Sequence, residues 1–431
     1  MGAPGTERHA VVTKEPHSLP VMPSLPDLFR TFGRIGLLSF GGPAAQIALM
    51  HRVLVEERGW LTERQFLSAL SFCMLLPGPE AMQLCTYAGW RLRGTAGGLI
   101  AGALFVLPGA LVIAALAALY ALYGTRPATE ALLLGVKATV IVIVVQALVR
   151  LRAKALQAPG APVIAALAFA ALYLVQAPFP LVIGAAALWG WRSAQGTPHP
   201  APPAESARNL RTIAVWAALW LAPLPLLALA GQDLLFDLAA FFAKLAVVSF
   251  GGAYAVLAYM AQEVVEIRGW LSPAQMADAL GLAETTPGPL ILVTQFTGQL
   301  AGHFAGGPGL AAAASLLTLW MTFTPCFLWI FAFAPHLERL LARPALQGAL
   351  SAITAAVLGV IANLSLWFAL NVLFAGTTRP EGWLSPVLPR IETFRPEALA
   401  LALLAAVLLL GLKRSIPLTL AVTAGAGWAL G

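Results

Sequence analysis

The sequence predicts an all-α, polytopic membrane protein built from two inverted-topology repeats, with broken or re-entrant helices and one extra transmembrane helix joining the repeats. Three observations predict this fold: the composition, an internal repeat and the distribution of charge among the loops. Of 431 residues, only 10% are charged and 59% are hydrophobic, and the mean hydropathy is +0.81. A soluble domain has about 25% charged residues, because polar side chains must cover its surface. The composition therefore excludes a cytosolic enzyme, a secreted domain and a disordered chain.

The internal repeat appears in an alignment without gaps. Residues 39–79 align with residues 249–289 at an offset of 210, with 19 identities in 41 positions. Each copy contains Ser-Phe-Gly-Gly, then Arg-Gly-Trp-Leu, then Pro-Gly-Pro. The chain is therefore divided into a cytoplasmic N-terminal tail (1–24), a first repeat (25–192), a linker with a single transmembrane helix (193–232) and a second repeat (233–431).

Both repeats are expected to have the same series of apolar segments. A stretch interrupted by Gly-Gly (27–57; 235–266) is followed by two short pieces that flank Pro-Gly-Pro, and four more stretches complete each half. A spanning helix needs about 20 apolar residues. The chain has thirteen crossings if the broken segments span, six in each half plus the linker helix, and nine if those segments are re-entrant.

Loop charges predict that the two halves have opposite orientations. In the first half the basic loops are those of Arg91/Arg93, Arg150/Arg152/Lys154 and Arg192; in the second half they are Arg339/Arg343 and Lys413/Arg414, whose counterparts are poor in charge. Cytoplasmic loops carry the excess of Lys and Arg, so the N-terminus is expected in the cytoplasm and the C-terminus on the opposite side. Inverted repeats are common in secondary transporters. A duplication kept only for packing is the alternative.

The Gly-Gly and Pro-Gly-Pro breaks are expected to form an anion site. At membrane depth, broken helices are tolerated only where they line a cavity or are buried in protein. Pro79 and Pro289 suit the first position of a helix, where the missing N–H would be unpaired anyway. Open N–H groups at helix starts carry partial positive charge and bind anions. The structural alternative is that Pro-Gly-Pro only kinks a helix and that Gly-Gly only allows a close helix contact. This alternative becomes less favourable because both motifs recur in both halves.

The candidate substrate-binding residues combine these breaks with nearby polar and basic side chains. Lys244 is the repeat counterpart of Arg34 (244 − 210 = 34), five residues before each Ser-Phe-Gly-Gly. Such cations can neutralise an anion or extend toward the membrane surface. The candidates are Arg34, Gly41, Gly42, Pro77, Gly78, Pro79, Gln83, Lys244, Gly251, Gly252, Thr286, Pro287, Gly288, Pro289 and Gln295.

One acid lies beside each Pro-Gly-Pro. Glu80 follows the first and Glu284 precedes the second. Each can cap a helix, or it can accept a proton when an anion binds and so couple transport to protons. Both alternatives stay open at this point.

Several other functions lack support. The three cysteines lie in apolar stretches and no His-based ligand spacing occurs, so no metal, cofactor or disulfide framework is expected. No phosphate-binding loop is present, and the net charge of +7 comes without the basic, aromatic pattern of nucleic-acid binding. The acids lack a nucleophile–base pair, so an intramembrane enzyme is disfavoured.

Together these motifs resemble the chromate transporter family, in its long, two-domain form. The matching residues are Ser-Phe-Gly-Gly-Pro at 39–43, Arg-Gly-Trp-Leu at 58–61, Leu-Leu-Pro-Gly-Pro-Glu-Ala at 75–81, Phe-Val-Leu-Pro-Gly at 105–109 and Thr-Pro-Cys-Phe at 324–327. The resemblance implies a carrier in a bacterial inner membrane that uses the proton motive force to export chromate. Ser68 departs from the family, in which this position is often acidic, as Asp278 is in the second half.

The expected partners are the lipid bilayer and a tetrahedral oxyanion, with a homodimer left open. Sulfate has nearly the shape and charge of chromate, so sulfate transport is the first alternative. A membrane protein without flux is the alternative from another class.

Overall fold

The computed structural model describes residues 22–194, 206–250, 253–336 and 343–430, and most of them are helical. Within these ranges the β structure is one antiparallel pair of two-residue strands, β1 (Thr377–Thr378) and β2 (Leu388–Pro389). Five segments of the described chain are long and apolar enough to cross a bilayer. The predicted all-α, polytopic fold is therefore confirmed. Residues 1–21, the linker residues 195–205, Gly251, Gly252 and Arg339 lie outside the described residues.

The described part of the first half contains seven helices. A π-helical turn extends one of them, and a kink reverses the direction of another. The seven helices are α1 (Leu25–Leu38), α2 (Gly42–His51) with a π-helical turn (Arg52–Glu57), α3 (Glu63–Cys73), α4 (Glu80–Tyr123), α5 (Pro127–Ala155), α6 (Ala161–Leu174) and α7 (Phe179–Ser193).

Between the halves, α8 (Ser206–Leu221) and α9 (Pro223–Leu229) form the apolar segment expected within 193–232. The indole N–H of Trp220 donates to the Met321 carbonyl at 3.0 Å, so this segment is attached to the second half.

The second half repeats the series of the first. Its helices are α10 (Asp233–Val248), α11 (Ala253–Ala261) with a π-helical turn (Gln262–Ile267), α12 (Pro273–Thr285), a 3₁₀ turn (Leu290–Leu292), α13 (Val293–Phe333) with a 3₁₀ turn (Ala334–His336), α14 (Pro344–Leu373), a 3₁₀ turn (Ile391–Thr393), α15 (Pro396–Ala406) with a π-helical turn (Val407–Gly411), and α16 (Ile416–Leu430).

The two longest helical segments are hairpins. In α4 the backbone leaves the helical region at Arg93 and Gly94, and in α13 it does so at Gly306 and Gly307. A Cβ on Gly89 would lie 2.2 Å from the Gly97 carbonyl oxygen, so the arms before and after the reversal contact each other closely. Each reversal separates the short piece that follows Pro-Gly-Pro from the next apolar stretch of the predicted series.

The last two helices of each half pack on an uninterrupted helix of the other half, α14 or α5. Helices α6 and α7 pack on α14, and α15 and α16 pack on α5. A Cβ on Gly190 would lie 2.2 Å from the Gly348 carbonyl oxygen, and one on Gly427 would lie 2.4 Å from the Ala131 carbonyl oxygen and 3.0 Å from the Gly135 nitrogen. The contacts are reciprocal, so α7 and α14 form the counterpart of α16 and α5. The opposite orientation of the halves across the bilayer stays a prediction.

We expect Gly190→Leu to destabilise the protein, because any side chain there must push α7 away from α14. Overpacking of this kind costs about 1–3 kcal/mol. Gly184→Leu is the matched control, because a Cβ on Gly184, on the same helix, meets no atom within 4 Å. The measurement is the melting temperature of the purified protein in detergent. Equal melting temperatures for the two variants would contradict the close contact.

Candidate functional site

The breaks of the two halves meet through reciprocal backbone hydrogen bonds. The N–H of Gly78 donates to the Ser249 carbonyl at 3.0 Å, and the N–H of Gly288 donates to the Ser39 carbonyl at 2.8 Å. These are equivalent positions, since 78 + 210 = 288 and 39 + 210 = 249. Each Pro-Gly-Pro is therefore bonded to the Ser-Phe-Gly-Gly of the other half.

Glycine is required at the centre of both Pro-Gly-Pro loops. The φ angles are +116° at Gly78 and +85° at Gly288, in the region that residues with a Cβ rarely adopt. A Cβ on Gly78 would also lie 2.8 Å from the Gln83 amide nitrogen and 3.2 Å from the Cys326 sulfur. The positive φ is therefore the reason for glycine at both positions, and at Gly78 a side chain would also have to displace Gln83.

Each Pro-Gly-Pro loop is also contacted by a proline-containing stretch of helix from the other half. Cys326 follows Pro325 in α13 and lies against the first loop at Gly78. In the second loop, the Pro287 carbonyl oxygen would lie 2.2 Å from a Cβ on Gly109, which follows Pro108 in α4. The two halves thus enclose each other's breaks in the same way.

Side-chain amides bind the carbonyl oxygens that the breaks expose. Gln83 Nε2 donates to the Pro77 carbonyl at 2.6 Å, and Gln46 Nε2 donates to the Gly288 carbonyl at 2.6 Å. Gln46 is buried and was missed by the sequence analysis, because its repeat counterpart is the apolar Val256. The Nε2 of Gln295 instead donates to the Ala110 carbonyl on α4, at 3.1 Å.

The hydrogen bonds change which N–H groups can meet an anion. The N–H groups of Gly78 and Gly288 are engaged between the halves, and the hydroxyl of Thr286 donates to the Ala283 carbonyl at 2.9 Å. The prolines of both loops have no N–H. The N–H groups without an intrahelical partner are instead those in the first turns of α2 and α4.

The two predicted cations pair with carboxylates of their own half. Arg34 Nη1 lies 3.0 Å from Glu57, and Lys244 Nζ lies 3.8 Å from Glu263 and 5.5 Å from the centre of the Tyr259 ring. Both side chains are more than half exposed, at 56% and 53%. Their contact with a transported ion stays a prediction.

A cavity of about 280 Å³ lies beside the first-half break, and we name it the first cavity. It brings together the Gly-Gly of the first half with side chains from both halves. Its lining includes Gly41, Gly42, Pro43, Glu80, Gln146, Arg150, Tyr254 and Ile416.

Both predicted acids are connected to the first cavity. Glu80 lines it directly. Glu284 is buried and accepts a hydrogen bond at 2.9 Å from the hydroxyl of Tyr254, which lines the same cavity. The structure therefore places the two acids near one space, although they flank different breaks.

A basic opening adjoins the first cavity. A second space of about 470 Å³ shares the residues Gln146, Arg150 and Ile416 with it and adds Lys413, Arg414 and Ser415. We call this space the first vestibule. In the sequence, Arg150, Lys413 and Arg414 served only to predict topology, because loop charges do not show which cavity they surround.

A buried ion pair joins the halves at another place. Lys137 Nζ of α5 lies 2.9 Å from Asp278 Oδ1 of α12, and the two side chains are only 12% and 8% exposed. The hydroxyl of Tyr120 donates to Asp278 Oδ2 at 2.8 Å. Asp278 was singled out from the sequence, but Lys137 was missed, although it is a cation inside the apolar stretch of α5, where such residues need a partner.

The comparisons with known proteins agree with the resemblance. The sequence profile of the chromate transporter family matches residues 26–191 and again residues 236–428. The chain belongs to the chromate transporter family. It is 33% identical to the chromate transport protein of Pseudomonas aeruginosa over 357 residues, which cover 80% of this chain and 81% of that relative. No solved structure matches the chain.

Two further members extend the comparison to other bacteria. The probable chromate transport protein of Synechococcus elongatus is 33% identical over 352 residues, covering 79% of this chain and 83% of the relative. The chromate transport protein of Cupriavidus metallidurans is 30% identical over 348 residues, covering 80% and 82%. These shares show that the likeness includes both halves of this family member.

We expect Lys137→Met to destabilise the family member strongly, because it leaves the Asp278 carboxylate buried without its cation. Breaking one side of a buried ion pair costs about 3–5 kcal/mol, whereas replacing both partners by apolar residues is often neutral. The double variant Lys137→Met/Asp278→Leu should therefore recover most of the lost stability. Melting temperatures in detergent test this, and a double variant no more stable than Lys137→Met would contradict it.

Proposed function

We propose that this protein is a secondary transporter that exports chromate across the bacterial inner membrane, driven by the proton motive force. The observation that carries the proposal is the first cavity with its basic vestibule, in a chain whose two halves both match the chromate transporter family. Relatives covering most of the chain are named chromate transport proteins.

The charges around the first cavity suit a dianion. Arg150, Lys413 and Arg414 surround the vestibule, and a basic cleft with low-dielectric walls concentrates anions at its mouth. Lys413 and Arg414 belong to a loop, and Arg150 to a helix end, that the positive-inside rule assigns to the cytoplasm. An anion leaving the cytoplasm would enter here.

Backbone and side-chain donors in the cavity suit a tetrahedral oxyanion. The first turn of α2, which begins at Gly42, presents N–H groups without intrahelical partners. Gln146 and Arg150 add side-chain donors on the facing helix α5. This combination of backbone amides with one planar cation binds oxygens in several directions.

The reciprocal contacts of the halves support a two-fold repeat, and the loop charges favour an inverted one, as in many secondary transporters. The two breaks are bonded to each other by equivalent residues, and α7 with α14 repeats the packing of α16 with α5. Transporters of this kind place the substrate at the interface of the repeats. We infer that the N-terminus is cytoplasmic and that the C-terminus lies on the opposite side.

Coupling to protons is assigned to Glu80, with Glu284 behind Tyr254 as the second acid. A carboxylate at Glu80 would repel a dianion in the same cavity, so binding favours its protonated form. Export of the ion with one proton moves one net negative charge outward. An inside-negative membrane potential then drives the step by about 2.3 kcal/mol per 100 mV. The pH gradient opposes the outward movement of the proton, so the membrane potential is the component of the proton motive force that drives export.

We expect Arg150→Gln to raise the KM for chromate about tenfold or more, the loss of roughly 1.4 kcal/mol of binding, because the cation lines both the vestibule and the cavity. The assay is uptake of radiolabelled chromate into inverted vesicles. Arg64→Gln is the control, since Arg64 is an exposed residue outside the linings of both spaces. An unchanged KM in Arg150→Gln would remove this residue from the site.

We expect Glu80→Gln to remove the acceleration of chromate uptake by acid on the cytoplasmic face, since the variant cannot take up a proton. Uptake into inverted vesicles is measured at several external pH values with an interior-positive potential held constant. Acceleration should remain in Glu284→Gln if Glu80 alone carries the proton. The same pH response in Glu80→Gln and wild type would contradict the assignment.

Sulfate transport is the second candidate, because sulfate presents the same tetrahedral dianion to the same donors. Competition by unlabelled sulfate against labelled chromate decides between them. Chromate is the substrate if a large excess of sulfate leaves uptake unchanged, and sulfate is favoured if it competes at equal concentration. Vesicles without flux of either ion would overturn the proposed function.

A further inference from the structure

The repeat relation identifies a second space equivalent to the first vestibule. Ala131 and Gly348 present equivalent carbonyl oxygens to Gly427 and Gly190. Gln146 lies 15 residues after Ala131 on α5, and Asn363 lies 15 residues after Gly348 on α14. Ile416 and Phe179 are likewise the first residues of α16 and α7. Asn363 and Phe179 both line a small space, which we call the second vestibule.

The second vestibule is nearly closed. Its volume is about 40 Å³, compared with about 470 Å³ for the first vestibule. Its lining is largely apolar but includes the polar residues Gln176, Gln262, Glu266 and Arg379. Two equivalent spaces in one structure therefore differ in whether they are open.

Hydrogen bonds around Arg379 close the second vestibule. Its guanidinium is paired with Glu266 on the π-helical turn after α11 and donates to Gln176 Oε1 at 3.0 Å between α6 and α7. Gln176 Nε2 in turn donates to the Ser385 carbonyl at 2.9 Å. Gln176 has a φ of +54°, and its repeat counterpart Lys413 has a φ of +50°, so this backbone conformation is common to both vestibules and is not part of the closure.

The closure comes from a segment that the first half lacks. Residues 374–395 connect α14 to α15, whereas residues 156–160 connect α5 to α6. The longer connection contains Arg379, Ser385 and the strands β1 and β2. It is tied down again by Tyr173, whose hydroxyl donates to the Val387 carbonyl at 3.0 Å. The second half therefore has a long loop over its vestibule, whereas the equivalent connection in the first half is short.

We propose that the second vestibule is the exit site for the transported dianion, with Arg379 as its anion-binding cation and the Arg379–Glu266 pair as its gate. This proposal rests on the proposed function and on the opposite orientation of the halves, which puts equivalent vestibules on opposite sides of the membrane. An arriving dianion competes with Glu266 for Arg379. Release of Glu266 frees the connection 374–395, and the vestibule opens outward.

The test is the accessibility of a cysteine placed at Asn363. The native cysteines Cys73, Cys85 and Cys326 are buried, so an impermeant maleimide added to whole cells reports on Asn363→Cys above the wild-type background. We expect slow labelling in Asn363→Cys alone. Addition of Glu266→Gln should increase the labelling rate about fivefold or more, because it shifts the closed–open equilibrium.

Glu56→Gln is the matched control. Glu56 is the repeat counterpart of Glu266 (56 + 210 = 266) and lies 3.1 Å from His51 in the first half. Glu56→Gln should leave the labelling rate of Asn363→Cys unchanged. The charge reversal Glu266→Arg/Arg379→Glu should restore slow labelling and shows that faster labelling in Glu266→Gln is not a consequence of misfolding.

Three outcomes would overturn the proposal: equal labelling with and without Glu266→Gln, an equal effect of Glu56→Gln, or labelling that occurs only from the cytoplasmic face in inverted vesicles. Labelling does not depend on flux, so the gate is tested even if chromate uptake fails. Loss of uptake with the predicted labelling pattern would reject the proposed substrate and keep the gate. Normal uptake without the labelling pattern would reject the gate alone.

Discussion

The constraint that shapes this molecule is that backbone groups released by a helix break at membrane depth find no water to bind. The chain satisfies them between its halves, by the bonds from Gly78 to Ser249 and from Gly288 to Ser39. Amide side chains such as Gln46 then bind the remaining carbonyl oxygens. Because the bonds that satisfy the breaks are also the bonds that hold the halves together, the fold and the site depend on the same contacts.

A symmetric backbone carries asymmetric chemistry. The breaks, the hairpins of α4 and α13 and the exchanged packing of the last helices recur in both halves, whereas the ionisable residues do not. Glu80, Tyr254, Glu284 and Arg150 correspond to Leu290, Ala44, Met74 and Trp367. The acids and the open basic space therefore gather around one break, while the equivalent space of the other half is closed by the Arg379–Glu266 pair. In our proposal, this asymmetry separates a binding side from a release side within two related halves.

The sequence alone predicted the repeat, the class of fold, both kinds of break and the reversals inside α4 and α13, because Gly and Pro act locally on the backbone. It did not predict which N–H bonds which carbonyl, since that depends on how the halves pack. Arg34 was expected near the anion, but its long side chain pairs with Glu57 at 3.0 Å. Arg150 and Lys137 were overlooked as site residues because neither has a charged counterpart in the other half, and a search by repeat cannot find them.

Binding of a dianion beside the first-half break is the central claim, and a cryo-EM structure of the purified protein at saturating chromate tests it most directly. The account predicts tetrahedral density in the first cavity, within hydrogen-bond distance of Arg150 and the first turn of α2. The hydrogen bond between Gly78 and Ser249 should remain in place. Density bound elsewhere, or continuous helices in place of the Gly-Gly and Pro-Gly-Pro breaks, would contradict it.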